Sequence, residues 1–449
     1  MDFILNNNIL YPKQYGFLRG RSTEHATIDV ILKIIEAIEH KTYPLAVFLD
    51  LSKAFDSISH SILIRKLNRY GVRGIALEWF KSYLTNRAQY VQIGSGRSSD
   101  KAINFGVPQS SVLGPLLFLL YINDLPCCSD FLCFTLFADD TTTLYNSPSL
   151  DDVFQTVNRE FDLLSSWLSS NNLAINVSKT NFILFLTRQK LLNITLNDSH
   201  QLTINSNPIL RKDGVKFLGL LIDHNLRFND HIHFICNKLL KGIYALRRAS
   251  KVLTTDDLKT LYSSLILPYI NYSLLAWDGA CKLHSEYRSL NEGEVSNPMK
   301  NLIKLHKLQK CALRIVANSS YHSHHIPICY QLKLLDLPDL YSIKSMSFFH
   351  DFYHDNLPPT FSDLFSYRRG RNDELYIKIA YRRTDIASSS IAHTLPNIWN
   401  SLPPQLKLEV SKSKKVFINK LKDHYISKYE KWYCAKNDCY SCKQSNSSS

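Results

Sequence analysis

The 449-residue chain has no Gly-rich P-loop, no dinucleotide-binding fingerprint, no serine-histidine-acid motif and no internal repeat. Readings as a P-loop ATPase, a nicotinamide-dependent enzyme, a serine hydrolase or a solenoid therefore have no residues to rest on. Membrane features are scarce too. Met1-Asp2-Phe3-Ile4-Leu5 lacks a basic n-region and an apolar h-region, and no strongly amphipathic terminal helix or lipidation motif appears. The longest nearly charge-free stretch, Ala102 to Asn123, is broken by Asn104, Gln109, Ser110, Ser111 and Pro115, a poor membrane span. Disulfide spacing is missing as well. Most of the ten cysteines stand alone (Cys236, Cys281, Cys311, Cys329) or in apolar surroundings (Cys133), which points to a reducing, intracellular compartment. Acid is under-represented: 53 Lys+Arg against 39 Asp+Glu leave a formal charge of +14, spread along the whole length. Such a chain is drawn to a polyanion, nucleic acid first and an acidic membrane surface second.

With 45% hydrophobic and 12% aromatic residues, the chain can bury well-packed cores in two to four domains. Its most informative stretch is Phe137-Ala138-Asp139-Asp140. An isolated Asp-Asp is an ordinary solvated turn. Here Phe131-Leu132-Cys133-Phe134 precedes it and Thr141 to Tyr145 follows, so the spacing predicts a hairpin projecting both carboxylates into a cleft, where hard cations such as Mg²⁺ offset their repulsion.

Earlier in the chain, Asn6 to Gly20 reads as a loop, with Ser22 or Thr23 capping a helix that carries Ile28, Ile31, Leu32, Ile35 and Ile38. Leu45-Ala46-Val47-Phe48-Leu49-Asp50 is an apolar strand ending in a third acid. Helices around Ile62 to Leu67 and Ile75 to Leu84 follow, then a strand from Arg87 to Gly96. Gly106-Val107-Pro108-Gln109-Ser110-Ser111-Val112-Leu113-Gly114-Pro115 forms a turn-rich loop feeding an apolar helix from Leu116 to Ile122. Mixed elements of this kind make an α+β or α/β domain.

Six ordered segments carry a family resemblance. FLDLSKAFD around Asp50, the GVPQSSVLGP loop and FADD resemble the reverse transcriptases of non-LTR, LINE-type (jockey-like) retrotransposons. QYGFLRGRST, Trp167 to Phe185 (WLSSNNLAINVSKTNFILF) and Val215-Lys216-Phe217-Leu218-Gly219, similar to that family's primer grip, extend the match over about residues 11 to 225. The resemblance implies a right-hand polymerase: partial fingers, a palm with an antiparallel sheet, and a helical thumb. The implied reaction is RNA-directed DNA synthesis from deoxynucleoside triphosphates with Mg²⁺ or Mn²⁺, on an RNA template with a DNA primer, typically primed from a nicked chromosomal target. Two metals clamp the attacking and leaving oxygens of an in-line displacement.

Carried over residue by residue, Asp50 and Asp139 hold the ions, Asp140 completes the cluster, and the Leu51 carbonyl lies on the triphosphate side. Phe55 matches the steric gate against a ribose 2′-hydroxyl, or is an ordinary core aromatic; Gln109 and Ser110 face the nucleotide. Lys179 protonates or neutralises the leaving pyrophosphate, or is a solvated lysine. Arg19 and Arg21 are phosphate contacts. Phe217, Leu218 and Gly219 fall in the primer grip, and Lys238, Lys241 and Arg248 on a thumb-helix face whose buried side is Ile235, Leu239, Leu240, Ile243 and Leu246.

Two departures accompany the resemblance. Ser110 stands where the family has a small glycine, and Leu18 where it has an arginine, with Arg19 nearby. The chain also starts just before the QYGF segment, with neither the preceding finger segments nor an endonuclease domain, as expected of a truncated or decayed copy. An inactive nucleic-acid-binding remnant is thus the alternative to an active polymerase. A metal-dependent nuclease explains the aspartates but neither GVPQ nor the primer grip.

The expected organisation is fingers and palm over 1–222, thumb over 223–285, a linker at 286–300, a separate helical region over 301–433 and a flexible tail at 434–449. Leu334-Leu335-Asp336-Leu337-Pro338 and Asn397 to Pro403 resemble C-terminal sequences of the same elements, with RNA or target binding and simple packing both open. Cys434, Cys439 and Cys442, with His424, are more simply free cysteines than a zinc site. His322, His324 and His325 read as solvated loop histidines.

Overall fold

The computed structural model describes residues 2–108, 111–187, 189–190, 194, 197, 199–277, 297–370 and 375–431. Two compact units result: Met1–Leu218 with Pro358–Thr360, and Gly219–Leu357 with Phe361–Ser449.

The first unit is built round a five-stranded sheet. Helix α1 (Thr23–Glu39) precedes strand β1 (Tyr43–Leu49), which is followed by α2 (His60–Arg69), α3 (Gly114–Ile122), β2 (Cys133–Phe137), β3 (Asp140–Ser147), α4 (Leu150–Ser170), β4 (Asn181–Leu184) and β5 (Leu210–Arg211). The strand order is β5-β4-β1-β3-β2, with β1 antiparallel to both neighbours. Leu45 to Leu49 are all buried, as a central strand covered on both faces requires. The helix α3 is apolar nearly all round and is buried from Leu117 to Ile122.

Ser22 is the cap of α1, accepting the His25 N–H at 3.2 Å. The buried stripe contains Ile34, while the anticipated Leu32 lies half-exposed. The strand expected from Arg87 to Gly96 divides into Arg87–Gln89 and Gln92–Ile93, which pair with Lys101–Ile103 and Gly96–Arg97 respectively. The chain reverses after Ile93 through Gly94, whose φ of +59° lies in the left-handed region where glycine meets no steric cost.

The second unit is mainly helical: α5 (Asn229–Ala249), α6 (Thr255–Leu265), α7 (Asn297–Val316), α8 (His325–Leu332), α9 (Leu337–Tyr353), α10 (Ile391–Ser401) and α11 (Lys414–Glu430). Thr254 and Asp257 form the expected capping box on α6. Beside the expected division into a thumb and a C-terminal helical region, α5 and α7 pack along each other and α6 packs on both within this unit. The helix anticipated from Asn301 begins at Asn297, and Leu240 on α5 is exposed rather than buried. The two C-terminal segments are packed into this unit. Trp399 Nε1 donates to the Leu375 carbonyl at 2.9 Å, and the Asn400 side chain exchanges hydrogen bonds with the Ile377 backbone at 2.9 and 3.0 Å. Asp336 is buried at the N-cap of α9. Among the described residues no helix is long and apolar enough to cross a membrane.

Candidate functional site

Asp50 leaves the end of β1, and Asp140 opens β3. The antiparallel register pairs Leu49 with Thr141, so the next step outward sets Asp50 opposite Asp140. Asp139 lies between, in the two-residue turn Ala138-Asp139 closed by the Phe137 and Asp140 pair. That turn holds Ala138 at a φ of +56°, a left-handed conformation that tight hairpins demand and that a non-glycine residue adopts at some cost. Asp50 and Asp139 are half-exposed and Asp140 is exposed along one side. The crowding is registered at Asp140, whose carboxyl is held above the usual carboxylate range by desolvation from the surrounding chain, then by the charges of Asp139 and Asp50. Three carboxylates gathered at one sheet end form a donor set that a hard divalent cation fits.

The segment from Trp167 to Phe185 folds around Asp50. Its Asn176 N–H donates to the Asp50 carbonyl at 2.8 Å, the Asp50 N–H donates to Thr180 Oγ1 at 3.3 Å, and Leu51 pairs with Ile175. Lys179 Nζ stands 3.8 Å from Asp50 Oδ2, on a side chain that is 70% exposed and free to reorient.

Two residues that sequence reasoning passed over brace the hairpin from the other side. Buried Gln14 accepts N–H donors on Oε1 from Gly16 at 2.9 Å and from Ala138 at 3.0 Å. The Tyr15 N–H donates to the Leu136 carbonyl at 2.7 Å and the Leu136 N–H to the Lys13 carbonyl at 2.9 Å. Gly16 lies so close that a Cβ there would sit 2.5 Å from the Ala138 nitrogen. The QYGF motif carried this signal only as a glycine between a glutamine and an aromatic.

Phe55 is half-buried, stacked on Phe118 at 4.4 Å and edge-on to Phe17 at 6.5 Å. The loop that starts at Gly106 is fastened beside it: the Val107 N–H donates to the Phe55 carbonyl at 3.1 Å and the Gly106 N–H to that of Ile58 at 2.7 Å. Gly106 has a φ of +83°, and a side chain there would meet the Asp56 backbone at 3.0 Å. Ser111 Oγ ties the loop across, donating to the Pro108 carbonyl at 2.7 Å and accepting the Gly114 N–H at 2.9 Å. Gln109 and Ser110 lie outside the described residues.

The expected nucleic-acid contacts separate into available and occupied groups. Arg19 is exposed. Arg21 is turned into the fold instead: its Nη1 donates to the Pro12 and Gln14 carbonyls at 2.5 and 2.6 Å, bracing the loop that carries Gln14. Phe217 is buried against Phe48 with ring centroids 5.5 Å apart, so its ring is not offered to a ligand. Leu218 and Gly219 are half-exposed, at φ values of +45° and +87°. In the second unit, Lys241 and Arg248 are exposed, while Lys238 is half-buried with its ammonium 5.3 Å from the Phe234 ring centre.

The family of reverse transcriptases (RNA-dependent DNA polymerases) matches residues 2–222. The chain is 30% identical over 282 residues to a probable RNA-directed DNA polymerase from transposon X-element of Drosophila melanogaster, covering 60% of this chain and 30% of that protein. It is 26% identical over 337 residues to the corresponding protein of transposon BS (72% and 34%) and 29% identical over 286 residues to that of mobile element jockey (61% and 30%), both of Drosophila melanogaster. The chain thus spans about a third of the length of these curated relatives. A telomerase structure from Candida albicans, in complex with a telomeric RNA fragment, aligns over 80% of this chain and 54% of its own at 13% identity and a TM-score of 0.40. With an antiparallel sheet that gathers three aspartates at one end and a family match over the residues that form it, the chain belongs through residues 2–222 to the reverse transcriptases of LINE-type, non-LTR retrotransposons.

Proposed function

We propose that the chain extends a DNA primer on an RNA template, with Asp50, Asp139 and Asp140 holding the divalent ions. The observation that carries this reading is the convergence of the three carboxylates at one sheet end, where desolvation and then the charges of Asp139 and Asp50 raise the Asp140 carboxyl. Mg²⁺ bound there supplies Lewis-acid stabilisation of the attacking 3′-hydroxyl and the leaving pyrophosphate. The Leu51 carbonyl, one residue past Asp50, is a further donor on the same side. Lys179, within 3.8 Å of Asp50, neutralises charge on the departing pyrophosphate or hands it a proton. Phe55, held by Phe118, presents an aromatic edge against a ribose 2′-hydroxyl and so favours deoxynucleotides. Gln109 and Ser110 belong to the nucleotide side of the same site. Arg19, Leu218, Gly219, Lys238 and Lys241 contact backbone phosphates, positioning the duplex without reading its sequence.

The test is primer extension by the chain on an RNA template with deoxynucleotides and Mg²⁺, against Asp139→Ala/Asp140→Ala. Extension lost in the double variant supports the reading. Salt-sensitive duplex binding with no synthesis, at any Mg²⁺ or Mn²⁺ concentration, overturns it in favour of a nucleic-acid-binding remnant.

A further inference from the structure

Of the three histidines after α7, His322 is exposed as expected, but His325 is not a solvated loop residue. His325 is the first residue of α8, and its side chain is only 17% exposed. It faces His306 from α7, with ring centroids 5.4 Å apart and planes at 88°. Both imidazoles direct Nε2 at one carboxylate: His306 at Asp336 Oδ1, and His325 at Oδ2 over 3.4 Å. The three donor atoms lie within 4.8 Å of one another, and the side chains of His306 and Asp336 are 2% and 1% exposed. We propose that His306, His325 and Asp336 form a zinc site that fastens α7, α8 and the start of α9 together.

The chemistry favours zinc over the ions of the polymerase site. Two imidazoles and one carboxylate suit a borderline ion held tetrahedrally at about 2.0–2.2 Å, which sets donor atoms roughly 3.3–3.6 Å apart, whereas Mg²⁺ demands oxygen. The 3.4 Å between His325 and Asp336 is already that spacing. The hydrogen bond between His306 and Asp336 opens to admit the ion, and a water takes the fourth position. A carboxylate this deeply buried needs compensating charge, and an ion supplies more than a single protonated imidazole does.

The supporting shell is in place. The Asp336 N–H donates to the Tyr429 hydroxyl at 3.0 Å, and that hydroxyl donates in turn to the Asp339 carboxylate. Gln309, one turn beyond His306, donates to the Leu335 carbonyl at 3.2 Å. Both contacts hold the backbone that carries the central ligand, as second-shell groups do at structural metal sites.

The test uses the full chain with Cys434, Cys439 and Cys442 changed to Ser, so that the tail cysteines hold no metal, in excess Mg²⁺ to occupy the aspartate cluster. Zinc content after equilibration and desalting is expected near one ion per chain, falling to near zero in His325→Gln and in Asp336→Asn. Loaded with Co²⁺ instead, the chain shows the visible bands of a tetrahedral ion and two paramagnetically shifted imidazole N–H signals. No zinc in the chain lacking the three tail cysteines, or unchanged zinc in both variants while circular dichroism shows them folded, overturns the site. Should a variant unfold, the Co²⁺ chain decides alone, and absence of the shifted imidazole signals overturns the proposal. Either result leaves the polymerase reading untouched.

Discussion

Replacing Gly16 by alanine separates the aspartate cluster from the loop that braces it. The added Cβ lies 2.5 Å from the Ala138 nitrogen, 3.0 Å from the Phe137 carbonyl carbon and 3.2 Å from Ala138 Cα, where ordinary contact begins at 3.4 Å. All three are backbone atoms, so no side chain swings aside to relieve the clash. Gly16 has no left-handed φ, and the penalty is therefore one of space alone. Either the turn retreats by about 0.9 Å, carrying Asp139 with it, or the hydrogen bonds from Tyr15 to Leu136 and from Ala138 to Gln14 give way. Overpacking of this kind costs about 1–3 kcal/mol, and a 1 Å misplacement of a catalytic group costs on the order of 10² in rate. The expected outcome in primer extension is a kcat lower by about 10²-fold, a lower Tm and a duplex affinity within about twofold of the parent. Gln14→Ala removes the acceptor for two buried N–H groups and loses about 1–3 kcal/mol. Because both changes act on one turn, the double variant loses less than the two single losses combined. A Gly16→Ala chain with parental Tm and parental extension rate would refute the bracing account, and the Tm arm holds even for a chain that does not polymerise.

Asp140 has a folded pKa above its unfolded one, so its ionisation opposes folding: the cost is present above the folded value and absent below the unfolded one. Asp140→Asn should raise the metal-free Tm at neutral pH by about 1–2 °C, gain nothing below the carboxylate range, and reduce stabilisation by Mg²⁺, all readable by thermal scans. His231 is buried edge-on to Trp277, and burial pulls its pKa from 6.5 to about 4. His231 by itself should therefore cost the second unit up to about 3 kcal/mol as pH falls from 6.5 to about 4, with its imidazole carbon shift in NMR staying that of the neutral ring through most of that window, and His231→Gln should lose that part of the pH dependence. At Gly242 on α5, an added Cβ meets Ile266 Cδ1 at 2.8 Å and the Leu265 carbonyl at 3.0 Å. Helix propensity gains about 1 kcal/mol in Gly242→Ala and overpacking costs about 1–3, so a net loss of about 1 kcal/mol is expected in denaturant titration, and a gain would show that α6 yields.

What sequence carried well was the local part of the site. Continuous apolar character named β1, and apolar runs on either side of Asp139 and Asp140 named a hairpin. The register that sets Asp50 against Asp140 is a tertiary fact, approached only through the family resemblance. Arg21 shows why charge misleads: a guanidinium with several donors was read as a phosphate contact, yet two carbonyls in its own loop take its Nη1. His325 shows the converse, since three histidines among serines read as polar loop until α7 and Asp336 close over one of them.

The Gln14 amide joins its own loop to a turn 124 residues further along. On a ribosome that adds about 5–20 residues per second, the brace therefore emerges some 6–25 s before the hairpin it holds. Asp139 takes its final place only when the loop around Gln14 captures a turn made 124 residues later. Through that interval the loop that carries Gln14 stands without the turn it braces.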